Sequence, residues 1–187
     1  ITKKEIIKII EPYYNTSIFL LPLKKISNKI YENNWVDEVK LNIDYKNKII
    51  IQIIEFKPIG IYYFNQKKYY FNSKGKIIDY LNLKNNINEE FITFKGTSST
   101  MEAYKLLKTL NFFKSDFVLK IKHAHFVKKR RWDLLLEKDL LVKLSEKHME
   151  KSIENLIKIF NSLDNDDFEN IKVIDMRDYE KVILEYR

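Results

Sequence analysis

Apolar and polar positions recur along this chain with two different periods. In TKKEIIKII, Ile6, Ile9 and Ile10 fall on one helical stripe, and Thr2 with Glu5 has the spacing of a capping box. Pro12 ends that helix, and a loop carrying Ile18 to Leu21 follows. Leu23, Ile26, Ile30 and Tyr31 then repeat at helical spacing, which predicts a second short helix. After Trp35 the period drops to two. Val39, Leu41, Ile43 and Tyr45 alternate, KNK turns, and Ile49, Ile51 and Ile53 alternate again, which predicts a β-hairpin. Two helices and a hairpin in about 60 residues make a small α/β unit, with helices covering one sheet face.

Beyond Pro58 the apolar runs shorten. YYFNQKKYYFNSKGKIIDYL predicts two or three strands, with Gly75 in the turn where a positive φ is cheap, and FITFKG predicts another. STMEAYKLLKTLNFF reads as a helix with Met101, Tyr104, Leu107 and Leu110 or Phe112 facing inward. DFVLKIKHAHFV, RWDLLLE and LLVKLS read as consecutive strands, the last two joined by KD. EKHMEKSIENLIKIFNSL is the longest amphipathic helix, with Met149, Ile153, Leu156, Ile157 and Phe160 on its buried stripe. Polar residues from Asp164 to Asn170 lead into IKVIDMR, and the chain closes on a run that still alternates. Val182, Leu184 and Tyr186 share one face of it, and Ile183, Glu185 and Arg187 the other. The expected class is α+β in two modules, residues 1–58 and residues 59–187. The second carries a twisted, mostly antiparallel sheet, a long C-terminal amphipathic helix and a closing edge strand.

Composition narrows the function without choosing it. With 45% hydrophobic and 32% charged residues the 187-residue chain reads as globular. The net charge of +8 admits a nucleic acid or an anionic membrane as partner, yet lysine is interleaved with 26 acidic residues along the whole length. The densest basic block, Val127 to Arg131, reads as a solvated turn between strands. A nucleic-acid role is therefore not expected. Zero cysteines exclude disulfides, thiolate metal sites and cysteine nucleophiles. No run reaches the roughly 18 apolar residues of a membrane span. The first residue is Ile1, not Met, so the chain reads as a fragment with a signal or anchor expected upstream.

Candidate chemistry is sparse. His123 and His125 lie two apart, which on a strand puts both imidazoles on one face, but a third metal ligand is not evident. His148 opens a helix and reads as solvated. Ser98 to Thr100 read as a helix cap, without the elbow motif or neighbouring base a serine nucleophile needs. Three glycines cannot build a phosphate cradle. Glu89–Glu90 and Asp166–Asp167 read as solvated loop charges, and Trp35 and Trp132 as core. No catalytic, cofactor or metal site is expected, and the chain is read as non-enzymatic. The terminal strand is a different resource, because an uncovered edge presents unpaired N–H and C=O groups and is either a liability or a docking site for an added strand.

Taken in order, these segments resemble the bacterial cell-division protein family FtsQ/DivIB. The first module is similar to that family's POTRA domain, with Trp35, Val36, Glu55 and Pro58 carrying the match around the hairpin. KKYYFNSKGKIID resembles its strand–Asp–x–x–Gly–strand hairpin, with Asn72 in place of Asp and Gly75 retained. FITFKG, RRWDLLLEKDLLVKLSEKHMEKSIENLIKIFNSL and IDMRDYEKVILEY resemble the segments that follow. The chain departs at Ser145, where a glycine is usual, at Asp178 in place of a tyrosine that stands one position later, at Lys181 in the last turn, and at Tyr186 in place of a tryptophan.

The resemblance implies a single-pass inner-membrane scaffold of the divisome at the septum, anchored by a helix upstream, with this region in the periplasm. It implies the coiled-coil division proteins FtsB and FtsL as partners, with FtsB adding a strand to the last strand's edge, and other divisome proteins bound through the POTRA domain. Mapped onto this sequence, the expected partner-binding residues are Val182, Leu184 and Tyr186 on the strand, Arg177, Asp178 and Glu180 at its turn, and Arg130 and Arg131. No cofactor is implied. The competing expectation is a POTRA-type chaperone or assembly module of an outer-membrane or secretion system.

Overall fold

In a computed structural model the chain is described over residues 1–44, 48–81, 91–162 and 170–187. Tyr45, Glu89–Glu90 and Asp166–Asp167 lie outside the described residues. Backbone proximity divides the chain into two compact units, Ile1–Lys57 and Pro58–Arg187.

In the first unit, helix α1 (Lys3–Ile10) opens on the expected capping box. The Thr2 hydroxyl accepts from Glu5 N, and the Thr2 N–H donates to the Glu5 carboxylate at 2.6 Å. That carboxylate is held below its usual pKa, chiefly by this backbone hydrogen bond. Pro12 follows in a short 3-10 turn, and helix α2 (Leu23–Tyr31) comes next. Strands β1 (Val36–Asp44) and β2 (Lys48–Glu55) form an antiparallel hairpin in which Val39 faces Ile53 and Leu41 faces Ile51. Ile26, Ile30 and Val36 are its buried residues, with Ile6, Ile9, Tyr13 and the hairpin's inner face packed around them.

The second unit is one nine-stranded sheet. Its strands are β3 (Pro58–Phe64), β4 (Lys67–Asn72), β5 (Ile77–Tyr80), β6 (Thr93–Lys95), β7 (Ile121–Val127), β8 (Arg131–Leu136), β9 (Leu141–Lys143), β10 (Ile171–Asp175) and β11 (Ile183–Tyr186). Their order is β11-β10-β9-β8-β7-β6-β3-β4-β5. Neighbours run antiparallel except at three pairs: β3 with β6, β6 with β7, and β9 with β10. Helix α3 (Ser99–Phe112) makes the crossover between β6 and β7, and α4 (Met149–Ser162) the one between β9 and β10. Both helices pack on one sheet face, whose central row is Phe94, Ala124, Leu134, Val142, Ile174 and Leu184.

Aromatic side chains meet on the sheet. Phe71 meets Phe94 edge-on at 5.3 Å between ring centroids, and Phe94 meets Trp132 at 5.7 Å. Gly60 makes room for them, since a Cβ there would lie 2.6 Å from the Phe94 ring. The α+β class expected from the hydrophobic pattern is the one observed.

Two expectations are corrected. Helix α3 turns Ser99, Ala103, Leu106 and Leu110 inward, while Met101, Tyr104 and Phe112 are exposed. The inward face, which meets β3 and β6, thus mixes small residues with leucines. Ser98 stands at the N-cap of α3 but in a left-handed conformation (φ 64) with no side-chain cap bond. Helix α4 is described over Met149–Ser162, and its stripe of Met149, Ile153, Leu156, Ile157 and Phe160 packs on the core as expected.

Candidate functional site

Strand β11 exists because β10 offers it a partner. Ile183 pairs with Asp175, Leu184 with Ile174, Glu185 with Val173 and Tyr186 with Ile171, with a bulge between Ile171 and Val173. Leu184 packs against the buried core, while Val182, Ile183 and Tyr186 are exposed. Leu184 and Tyr186 therefore share the helix-covered face, and Ile183 and Glu185 the opposite one, while Val182 lies just before the strand.

No strand lies beyond β11 among the described residues. Backbone polarity follows from one hydrogen bond, Arg187 N–H to the Asn170 carbonyl at 2.9 Å. Successive residues of a strand aim their N–H and C=O groups to opposite sides. Arg187, Glu185 and Ile183 thus face β10, and Tyr186 and Leu184 present theirs to the open side. The edge offers two donor–acceptor sets in strand register.

The turn before β11 is held from three directions. The Asp178 carboxylate accepts from Glu180 N at 3.1 Å and the Asp178 carbonyl accepts from Lys181 N. The Tyr179 ring lies 4.4 Å from the His148 ring, and the Lys151 ammonium sits 4.8 Å over it. Asn155 Nδ2 donates to the Tyr179 carbonyl at 2.9 Å. The exposed His148 is therefore in contact with the turn. At the far end, the Arg187 guanidinium donates to the Lys138 carbonyl of the β8–β9 turn. Strand β11 is therefore fixed at both ends.

On the sheet face away from the helices, one cross-strand row runs Lys95, His125, Asp133, Lys143, Asp175, Ile183. Arg131 pairs with Asp133 at 3.0 Å, Lys143 with Asp175 at 3.9 Å, and Arg177 with Asp175 at 2.8 Å. Burial pushes the Asp175 carboxyl pKa up, but hydrogen bonds from Arg177 and the charges of Arg177 and Lys143 outweigh it and bring it below its usual value. Arg177 is raised in turn by its bonds to Asp175. Arg130 lies in the β7–β8 turn, 3.8 Å from Glu146.

Leu184 and Tyr186 thus share the edge strand with Val182 just before it, and Arg177, Asp178 and Glu180 lie in its turn. Arg130 and Arg131 stand on β8 and its turn, two strands inward from β10. Sequence reasoning missed Asp133 and Asp175, which engage Arg131 and Arg177, Lys143, which pairs with Asp175, and Asn155, which holds the turn. Alternation within RWDLLLE marks Asp133 as outward, but period two in IKVID groups Asp175 with Ile171 and Val173, and only the bulge and the strand order put the two aspartates in one row. His123 lies on the same face with Nδ1 buried and unpartnered. Burial, then Lys95, Lys68 and Lys122, lower its pKa and hold the imidazole neutral. No group of three or more His, Asp or Glu able to hold a metal occurs among the described residues.

The edge and its braced turn present open backbone groups and exposed side chains. Comparison with known proteins identifies the family. Residues 1–56 match the POTRA domain, FtsQ-type, and residues 61–177 match the C-terminal region of cell division protein FtsQ/DivIB. The chain is 28% identical over 187 residues to cell division protein FtsQ of Rickettsia conorii, and 27% identical over 184 residues to those of Rickettsia felis and Rickettsia bellii. Each alignment covers 96% of this chain and 66% of the relative, so the chain spans just under two thirds of their length. Matched in both of its units, the chain belongs to the FtsQ/DivIB family of cell-division proteins.

Proposed function

We propose that this chain is the two-domain working part of a non-catalytic divisome scaffold. Residues 1–58 are its POTRA domain and residues 59–187 its β domain. The β domain captures FtsB, with FtsL beside it, by adding a partner strand to β11. Leu184 and Tyr186 supply backbone hydrogen bonds, Val182 and Tyr186 the side-chain contacts, and Arg177, Asp178 and Glu180 frame the entry to the edge. Arg130 and Arg131 meet carboxylates on the partner's helical part. A membrane helix upstream holds the protein in the inner membrane, with this region in the periplasm at the septum. The POTRA domain receives other divisome proteins.

The observation that carries this reading is the uncovered edge of β11, braced at both ends in a member of a cell-division family. Nothing comparable favours an outer-membrane assembly module, and the match of the second unit to the FtsQ/DivIB C-terminal region speaks for the scaffold.

Tyr186→Pro tests it selectively. Proline removes an N–H that points away from β10 and sets its ring where an added strand would lie, so β10–β11 pairing survives. An FtsB segment titrated onto the variant should bind about tenfold more weakly or worse, with thermal unfolding of the free protein unchanged. Wild-type affinity in that titration would sink the proposal.

A further inference from the structure

The loop between α1 and α2 carries an apolar tip that the chain leaves bare. Phe19 is 85% exposed and Leu20 76%, and Tyr14, 64% exposed, precedes them. Phe19 and Leu20 belong to a short 3-10 turn, Ile18–Leu20, closed by Leu20 N donating to the Ser17 carbonyl at 2.8 Å, so their exposure belongs to an ordered segment. Between Glu11 and Glu32 the charge has one sign. Residues 12–31 contain three lysines, Lys24, Lys25 and Lys29, and no carboxylate, and all three lysines are exposed. Acid-free stretches occur elsewhere, as in residues 56–78, but in this one the lysines follow within a few residues of the bare Phe19 and Leu20.

We propose that this loop is a membrane-surface contact, in which Phe19 and Leu20 enter the headgroup–acyl boundary of an anionic phospholipid bilayer. Tyr14 sits at headgroup level, and Lys24 and Lys25 lie against lipid phosphates. An aromatic ring, a leucine and a tyrosine with a polar tip, flanked by lysines whose stems are long enough to reach outward, are the side chains that partition to that boundary. The anionic surface supplies the counter-charge which the loop lacks within its own sequence. A protein partner would need carboxylates set around an apolar pocket, whereas a bilayer meets both requirements with no specific geometry. This contact lies in the first unit and uses none of the β11 edge.

The test uses the 187-residue chain with vesicles of phosphatidylcholine alone and of phosphatidylcholine with one quarter phosphatidylglycerol. Flotation should recover the protein with the anionic vesicles and not with the neutral ones, and F19S/L20S should lower the partition coefficient about tenfold. Both substituted side chains are exposed, so circular dichroism should be unchanged. Phe19→Trp should add a blue-shifted emission component on mixing with anionic vesicles, quenched by brominated acyl chains. No flotation with anionic vesicles at low salt would overturn the proposal. So would flotation that F19S/L20S leaves intact, since charge alone would then be responsible. The proposal also falls if the double variant impairs capture of a division protein while vesicle binding stays at the wild-type level, because the loop would then be a protein site. Unchanged titration of an FtsB segment onto F19S/L20S keeps this result separate from the edge-strand reading.

Discussion

Ser152 lies on the inner side of α4, fully buried, and its one hydroxyl joins three segments of the chain. It accepts from Ser145 N at 3.2 Å, just past β9, and lies 3.1 Å from the His148 carbonyl and 3.3 Å from the Met176 carbonyl at the end of β10. Ser145, standing where a glycine is usual in the family, adds its own hydroxyl, which accepts from His148 N at 3.3 Å. The two serines set where α4 begins relative to β10, and so where the turn into β11 emerges. Ser152→Ala strands a buried N–H and a buried carbonyl. It should cost about 1–3 kcal/mol, read as a lower urea midpoint at constant m-value. An unchanged midpoint would mean that water replaces the hydroxyl and that the serines do not set the edge. Asn72 is a second residue of this kind. Where the family favours Asp, its Oδ1 accepts from both Lys74 N and Lys76 N at 3.0 Å, so the change of side chain leaves the turn satisfied.

Among the elements, the end of β10 carries the clearest electrostatic consequence. The Asp175 carboxyl is depressed because Arg177 and Lys143 outweigh its burial. A carboxyl with a folded pKa below its unfolded value stabilises the fold fully above the unfolded value, about 3.9. That contribution is lost as pH falls through the folded pKa. Arg177→Ala should move the Asp175 resonance to a higher midpoint in a carboxyl-detected NMR titration. It should also shrink the stability difference between pH 6 and pH 3, and a titration curve that does not move would refute the coupling. Elements were unequally legible in the sequence. Hairpins such as β1–β2 and β7–β8 read directly, because alternation and a short turn are local signals. Helix α3 did not, because Met101, Tyr104 and Phe112 are as apolar as the face that packs. The face that packs carries Ser99 and Ala103 beside Leu106 and Leu110, a mixture that no single-helix apolar pattern picks out. The edge position of β11 lay between these cases. Alternation predicts the strand, but only the crossover through α4, which places β10 outside β9, puts β11 at the margin. The ion-paired row beneath it, Asp133, Lys143 and Asp175, depends on that same order.

At the scale of the whole molecule, the two units have separate cores of very different depth. The second is built around more than a dozen buried apolar residues on one sheet face, whereas the first has Ile26, Ile30 and Val36 fully enclosed. A unit of some 60 residues buries a smaller share of its surface than a larger one and is correspondingly marginal, so the first unit should open first. Because no residue belongs to both clusters, a cavity in one core should not weaken the other. Ile30→Ala removes three carbons at a fully buried position and should cost about 2–5 kcal/mol, a large part of what so small a core supplies. Hydrogen exchange followed by mass spectrometry distinguishes the possibilities. Amides of α2, β1 and β2 should exchange at least tenfold faster in the variant, and those of β7, β8 and β10 at the wild-type rate. Binding of a strand partner at β11 should likewise be unaffected. Faster exchange in β8 or β10 would show that the two units unfold together, and the division of labour between residues 1–58 and 59–187 would have to be abandoned.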